Sequence, residues 1–347
     1  MDALLLVASF VVILVGSELF TNGIEWFGHK LELGEGAIGS VLAAIGTALP
    51  ETMIPVIAIA FGGSTAASEI GVGAILGAPF MLATLAMFVT GVAVVLMRRR
   101  RATGRTLAAD QGVIGHDLGY FGVAYAIAIG AACLPVELEW PRRLVAVVLL
   151  CIYGRHVWGH WQAEAAEHEG LEPLRFHRLD RGAPQHPEPP RLFIVAVQVL
   201  FALGCIIGGA WSFVRAITDL SASLTVNGTL LALVVAPIAT ELPETLNSVL
   251  WVRRGKDTLA MGNITGAMVF QSAIPTSVGL VLAPSLWAVG GAGLAFASAA
   301  ITFASVAAIA VPMLMRKRLG ASQLLVGGAF YLAYVGVVVF ALAHSGG

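Results

Sequence analysis

Charge is what this sequence has least of. Only 12% of its 347 residues are Asp, Glu, Lys or Arg, about half of the roughly 25% usual in soluble domains. Hydrophobic residues make up 58%, and the mean hydropathy is +0.86. A chain of this length can bury a large core but lacks the polar residues to coat one with water. A soluble globular enzyme and a disordered chain are thereby excluded. A net charge of −1 gives no field for steering a polyanion, so nucleic acid is not a partner. Cysteine is scarce too: Cys133, Cys151 and Cys205 lie far apart in apolar runs without CxxC spacing. They form neither a disulfide framework nor a zinc site, and packed core positions are expected for them. There is no His/Glu zinc pattern and no G-x-S-x-G, so nothing suggests an enzyme or a cofactor.

What is abundant is apolar sequence in runs of about 20 residues, the length that crosses a bilayer as a helix. Ten such runs fall near 3–21, 37–61, 70–97, 112–134, 143–161, 192–217, 226–252, 258–282, 286–314 and 322–343. The expected fold is an all-α polytopic membrane protein with ten transmembrane helices, in contact with lipid. The first run follows Asp2 directly, with no basic segment or cleavage site before it, and is expected to persist as a helix. Basic residues orient such chains. With the N-terminus outside, 17 of the 20 Lys and Arg fall in inner loops, leaving only Arg142, Arg143 and Arg215 outside. Both termini are therefore expected outside, in a plasma (inner) membrane. Residues 162–190 mix Glu, His, Arg and Pro and read as a cytoplasmic linker between halves 1–161 and 191–347.

The halves repeat. At an offset of 193, GTALPET (Gly46 to Thr52) lies over ATELPET (Ala239 to Thr245), and Gly209 falls on Gly16. After a four-residue gap, GAILGAPF (Gly73 to Phe80) lies over GNITGAMV (Gly262 to Val269). Five helices per half is an odd number, so the repeats enter the membrane in opposite directions. Inverted repeats with interrupted helices are typical of secondary transporters.

Glu51, Glu241 and Glu244 lie within apolar runs. An intramembrane carboxylate is costly unless it is paired, hydrated or neutralised, and so marks a site. Pro50 and Pro243 each precede a glutamate, and a proline inside a helix kinks it and frees a carbonyl. Thr47 and Glu51 are i, i+4 neighbours, as are Thr240 and Glu244, so each helix presents a hydroxyl, a carboxylate and carbonyls. Two such helices together make an oxygen cage of the kind hard cations take, Ca²⁺ with 6–8 oxygens. Asn247 and Ser248 extend the polar track one turn further. Glu18 reads as a snorkelling side chain, and His116 with Asp117 as an interfacial pair.

These motifs resemble the two alpha-repeat signatures of the calcium/cation antiporter superfamily, of the sodium/calcium exchanger type. The resemblance spans essentially the whole chain and implies coupled cation exchange by alternating access, without ATP. It implies Glu51 and Glu244 as the paired central carboxylates and Thr47 and Thr240 as ligating threonines. The sequence departs from the family pattern at Ala48 and Glu241, where the family has serine, and at Leu82 and Gln271, where it has Asn or Asp. Gly262–Asn263 retains the family's Gly-Asn pair, whereas the first half has Gly73–Ala74. The expected activity is exchange of Ca²⁺ or another hard cation for Na⁺ or H⁺, with Glu51, Glu241 and Glu244 as charged ligands and Thr47, Thr240 and Gln271 as neutral ones. The alternatives are Na⁺/H⁺ exchange without calcium, an intramembrane enzyme and a channel.

Overall fold

Long apolar runs become helices in lipid because only there are all backbone polar groups paired within the segment. The structure, a computed structural model, describes residues 2–48, 52, 55, 59, 65–135, 139–162, 171–179, 190–223, 241–287 and 293–344. Its helices are α1 (Asp2–Lys30), α2 (Glu35–Thr47), α3 (65–97), α4 (Gln111–Ala131), α5 (Glu139–Trp161), α6 (Leu192–Ser223), α7 (Leu242–Arg253), α8 (Asp257–Leu282), α9 (Gly293–Arg316) and α10 (Ala321–His344). Eight of them, all but α2 and α7, are long and apolar enough to cross a membrane. The expected second and seventh runs, 37–61 and 226–252, lie partly outside the described residues. The expectation of ten crossing helices is therefore met for eight. Both α2 and α3 contain one wide π-type turn, at Ile38–Ala43 and Leu82–Ala86.

α8 is the hub, packing against α2, α3, α4, α5 and α7. It is buried along nearly its full length, whereas α5, α6 and α10 turn most of their apolar residues outward. Outward apolar faces are what lipid requires, and they correct the expectation for cysteine: Cys133 and Cys151 are exposed and Cys205 is half-buried. In a bilayer an apolar side chain loses nothing by facing out, so position in an apolar run does not imply a place in the core.

Small residues set the close helix contacts, as is usual where lipid removes the hydrophobic drive for association. The most extensive packing joins α1 to α6. There, a Cβ on Gly16 would lie 3.0 Å from the Cys205 Cβ, and one on Gly209 would lie 2.8 Å from Ile13 Cγ1. These two glycines are partners at the 193-residue offset, and each seats the other helix.

The basic loops gather at one end of the bundle. Arg101 bonds the Val252 carbonyl at 2.7 Å and the Asp257 carboxylate at 2.5 Å. Strand β1 (Thr106–Leu107) pairs antiparallel with β2 (Leu319–Gly320). Glu18 does not merely snorkel: it pairs with Arg254 at 2.6 Å and Arg175 at 2.9 Å. Glu25, buried beside it, pairs with Lys256 and accepts the Trp251 indole N–H at 2.8 Å. At the opposite end, Arg142 caps the carbonyls of Ala131 and Leu134.

Candidate cation site

At matching positions of the repeated motif the backbone takes the same non-helical conformation in both halves. Ala48 ends the α2 turn with φ −82° and ψ 4°, and Glu241 opens α7 with φ −81° and ψ 0°. Four residues on, Thr52 and Thr245 each return a side-chain hydrogen bond of 2.8 Å to that residue's carbonyl. The expected kink at Pro243 involves residues before Glu241 that lie outside the described residues; within them, α7 starts at Leu242. Pro243 lies in the first turn of α7, where its missing N–H would have no helical partner anyway. Glu244 shares that first turn, and a helix N-terminus favours negative charge.

Of the expected ligands, Glu51 and Thr240 lie outside the described residues. The other four come together on α2, α7 and α8. Thr47 donates to the Ala43 carbonyl at 3.0 Å and sits 3.3 Å from Asn263 Oδ1. Asn263 in turn donates to the Glu244 carbonyl at 3.0 Å and reaches Ser248 Oγ at 3.3 Å. The Gln271 amide lies near enough to the Glu241 carboxylate, and the Thr47 hydroxyl to that of Glu244, to interact electrostatically without a formed hydrogen bond. Ser248 itself bonds the Ala260 carbonyl and so ties α7 to α8.

The defining feature is what these groups lack. Glu241, Glu244, Asn247 and Gln271 are all at most 3% exposed, yet among the described residues both terminal atoms of each have no hydrogen-bond partner. Among the described residues, no cation pairs with either glutamate. Orphaned buried polar groups are rare in native proteins and call for a ligand, water or ion. A nest of two carboxylates and two amides, all acceptor-bearing and enclosed, suits a hard cation held by oxygens. Asn247, only a point on a polar track in the sequence, belongs to this nest. Asn263, absent from the expected ligands, acts as its scaffold; the retained Gly-Asn pair was the signal that could have found it.

The structure also corrects the reading of His116 and Asp117. Asp117 is fully buried, and its Oδ1 accepts from His156 Nε2 at 2.9 Å and His160 Nε2 at 2.7 Å. No sequence spacing links residues 39 and 43 positions apart, so this cluster was invisible in one dimension.

Apolar crossing helices around a buried, unpaired carboxylate nest are the arrangement of a polytopic membrane transporter. The family model described as sodium/calcium exchanger protein matches residues 1–161 and 194–343, and the chain belongs to that family of membrane antiporters, moving cations. A putative antiporter, CaxA of Alkalimonas amylolytica, is 21% identical over 324 residues, covering 89% of this chain and 88% of that protein. The sodium-calcium exchanger NCX_Mj has a similar fold. In crystals soaked with 2.5 mM Na⁺ and 0.1 mM Sr²⁺ its TM-score is 0.73 at 18% identity, covering 97% of this chain and 99% of that one. With 100 mM Na⁺ and 10 mM Sr²⁺ the TM-score is 0.71, also at 18% identity, with 96% and 97% covered.

Proposed function

We propose that this antiporter exchanges Ca²⁺, or another hard cation, for Na⁺ or H⁺ by alternating access. Its site would comprise Glu51, Glu241 and Glu244 with Thr47, Thr240 and Gln271, near the bilayer midplane. The observation that carries this reading is the enclosed nest of Glu241, Glu244, Asn247 and Gln271, whose terminal atoms have no hydrogen-bond partner among the described residues. Two carboxylates cannot stay charged there without a cation or a proton between them. Ca²⁺ satisfies oxygen donors in irregular number, and either Na⁺ or H⁺ can replace its charge.

The matching backbone conformation at Ala48 and Glu241, and the reciprocal glycines Gly16 and Gly209, support two halves of common design, 1–161 and 191–347. With five helices each they would be inverted, the arrangement that permits rocking of one element against another around a fixed site. The basic loops grouped at one end support an orientation in the plasma (inner) membrane with residues 162–190 cytoplasmic and both termini outside.

The deciding experiment is ion uptake by the purified protein in liposomes, under imposed Na⁺, H⁺, K⁺ and Ca²⁺ gradients. Calcium flux coupled to Na⁺ or H⁺, and abolished in a folded Glu244→Gln variant, is expected. Proton-coupled Na⁺ flux with no calcium movement would select Na⁺/H⁺ exchange instead. Exchange at the wild-type rate in Glu244→Gln would reject the site.

A further inference from the structure

On the far side of α8 from the carboxylate nest lies a second cluster of ligating side chains. Asn263 faces the nest, whereas Thr265, two positions on and about 200° round the helix, donates to Asp117 Oδ2 at 2.6 Å. Ser40, in the wide turn of α2, donates to the same oxygen at 2.7 Å. The other carboxylate oxygen, Oδ1, meets three imidazoles: His160 at 2.7 Å, His156 at 2.9 Å and His116 at 3.9 Å. One ligand atom from each of the four residues can be chosen so that all lie within 4.8 Å of one another.

We propose that His116, Asp117, His156 and His160 form a binding site for a transition-metal dication of the Zn²⁺ class, separate from the cation-exchange site. Three arguments carry it. First, the donor set is three imidazoles and one carboxylate, which suits Zn²⁺, Co²⁺ or Ni²⁺ rather than the oxygen-seeking Ca²⁺. Second, the spacing suits a metal: His156 and His160 are i, i+4 on one face of α5, and His116 and Asp117 come from α4 alongside it. Tetrahedral Zn²⁺ with bonds of about 2.0–2.1 Å keeps its ligands about 3.3 Å apart. The two short His–Asp contacts would open by roughly half an ångström to admit it. Third, Asp117 is already oriented as a metal-bound carboxylate would be, its outer oxygen held by the hydroxyls of Ser40 and Thr265.

Among the described residues the buried Nδ1 of His116 makes no hydrogen bond and stands 3.9 Å from Asp117 Oδ1, a donor atom free to take an ion. When Nε2 of His156 or His160 binds metal as a neutral imidazole, its proton is carried on Nδ1. His116 is the ring with a way out: its side chain is 33% exposed, against 0% for His156 and 4% for His160. It marks the entry path. A bound ion would fasten α4 and α5, through Asp117, to α2 and α8, the helices that carry Thr47 and Asn263.

The test is Co²⁺ titration of the detergent-purified protein, carrying no histidine tag, read by the visible absorption of four-coordinate Co²⁺ and by displacement with Zn²⁺. The wild type is expected to bind one equivalent, with a tetrahedral spectrum bleached by Zn²⁺. His116→Gln, at the exposed ligand, should weaken Co²⁺ binding at least tenfold, and His156→Gln with His160→Gln should abolish it. Glu244→Gln, and a variant with His168, His177 and His186 replaced by alanine, should keep the spectrum. A wild type that develops no tetrahedral Co²⁺ spectrum overturns the proposal. So does one whose spectrum survives His116→Gln unchanged in affinity, or disappears with the linker histidines. Loss in Glu244→Gln alone would place the metal in the exchange site and likewise overturn it.

Discussion

Gly266 on α8 is the tightest contact between helices that carry the site. A methyl group there would lie 2.1 Å from the Ser40 carbonyl oxygen and 2.5 Å from its Cα. Both are backbone atoms, so no side chain can rotate away, and relief requires α2 and α8 to separate. Restoring even a tight contact of about 3.0–3.4 Å means opening the pair by roughly 1 Å, where one methyl of overpacking typically costs about 1–3 kcal/mol. Such a shift would break the bond made across this junction, Thr47 to Asn263 at 3.3 Å, and would pull Ser40 away from the α8 side of its 2.7 Å bond to Asp117 on α4. Gly266→Ala is therefore expected to lose about 2–3 kcal/mol or more, and to lose exchange activity even where it still inserts. Gly119 on α4 supplies the control. It is exposed, and a methyl group there meets no atom within 4 Å. Gly119→Ala should be neutral or stabilising by up to about 1 kcal/mol through helix propensity. Thermal unfolding in detergent, followed by uptake in liposomes, compares the two. Wild-type stability and transport in Gly266→Ala would refute the close approach of α2 and α8 on which the site is built.

Glu241→Ser restores the residue expected at that place in the family and leaves Glu244 alone in the first turn of α7. Because protons and cations compete for ionised carboxylates, cation affinity of the wild type should strengthen with rising pH. The variant should keep measurable transport with a flatter pH profile, and superimposable profiles would show that Glu241 takes no part. Single cysteines placed in 98–105 or 162–190 should react with membrane-impermeant reagent only from the cytoplasmic side, and those at residues 2 and 345 only from outside. Labelling of the linker in intact cells would overturn the orientation and the inversion of the halves.

Much of this protein was legible in one dimension, because its strongest constraints are one-dimensional. Run length against bilayer thickness marked the membrane helices, and the cost of charge in lipid singled out Glu241 and Glu244 before any contact was known. The repeated motif singled out Thr47, and the family resemblance singled out Gln271. Other features depend on which helices become neighbours, and no local pattern encodes that. Pro243 sits in the first turn of α7, where Glu241 provides the N-cap, a placement that the motif alone did not give. Asn263 is the bracket between Thr47 and Glu244 because α8 passes between α2 and α7. Cys133 and Cys151 face outward because lipid accepts an apolar residue on either side of a helix. In the sequence, His116 and Asp117 read as an interfacial pair, whereas His156 and His160, near the end of another apolar run, carry no signal. Only the packing of α4 on α5 and of both on α8 carries three imidazoles onto one buried carboxylate, because side-chain chemistry converges through space and the sequence records only order along the chain.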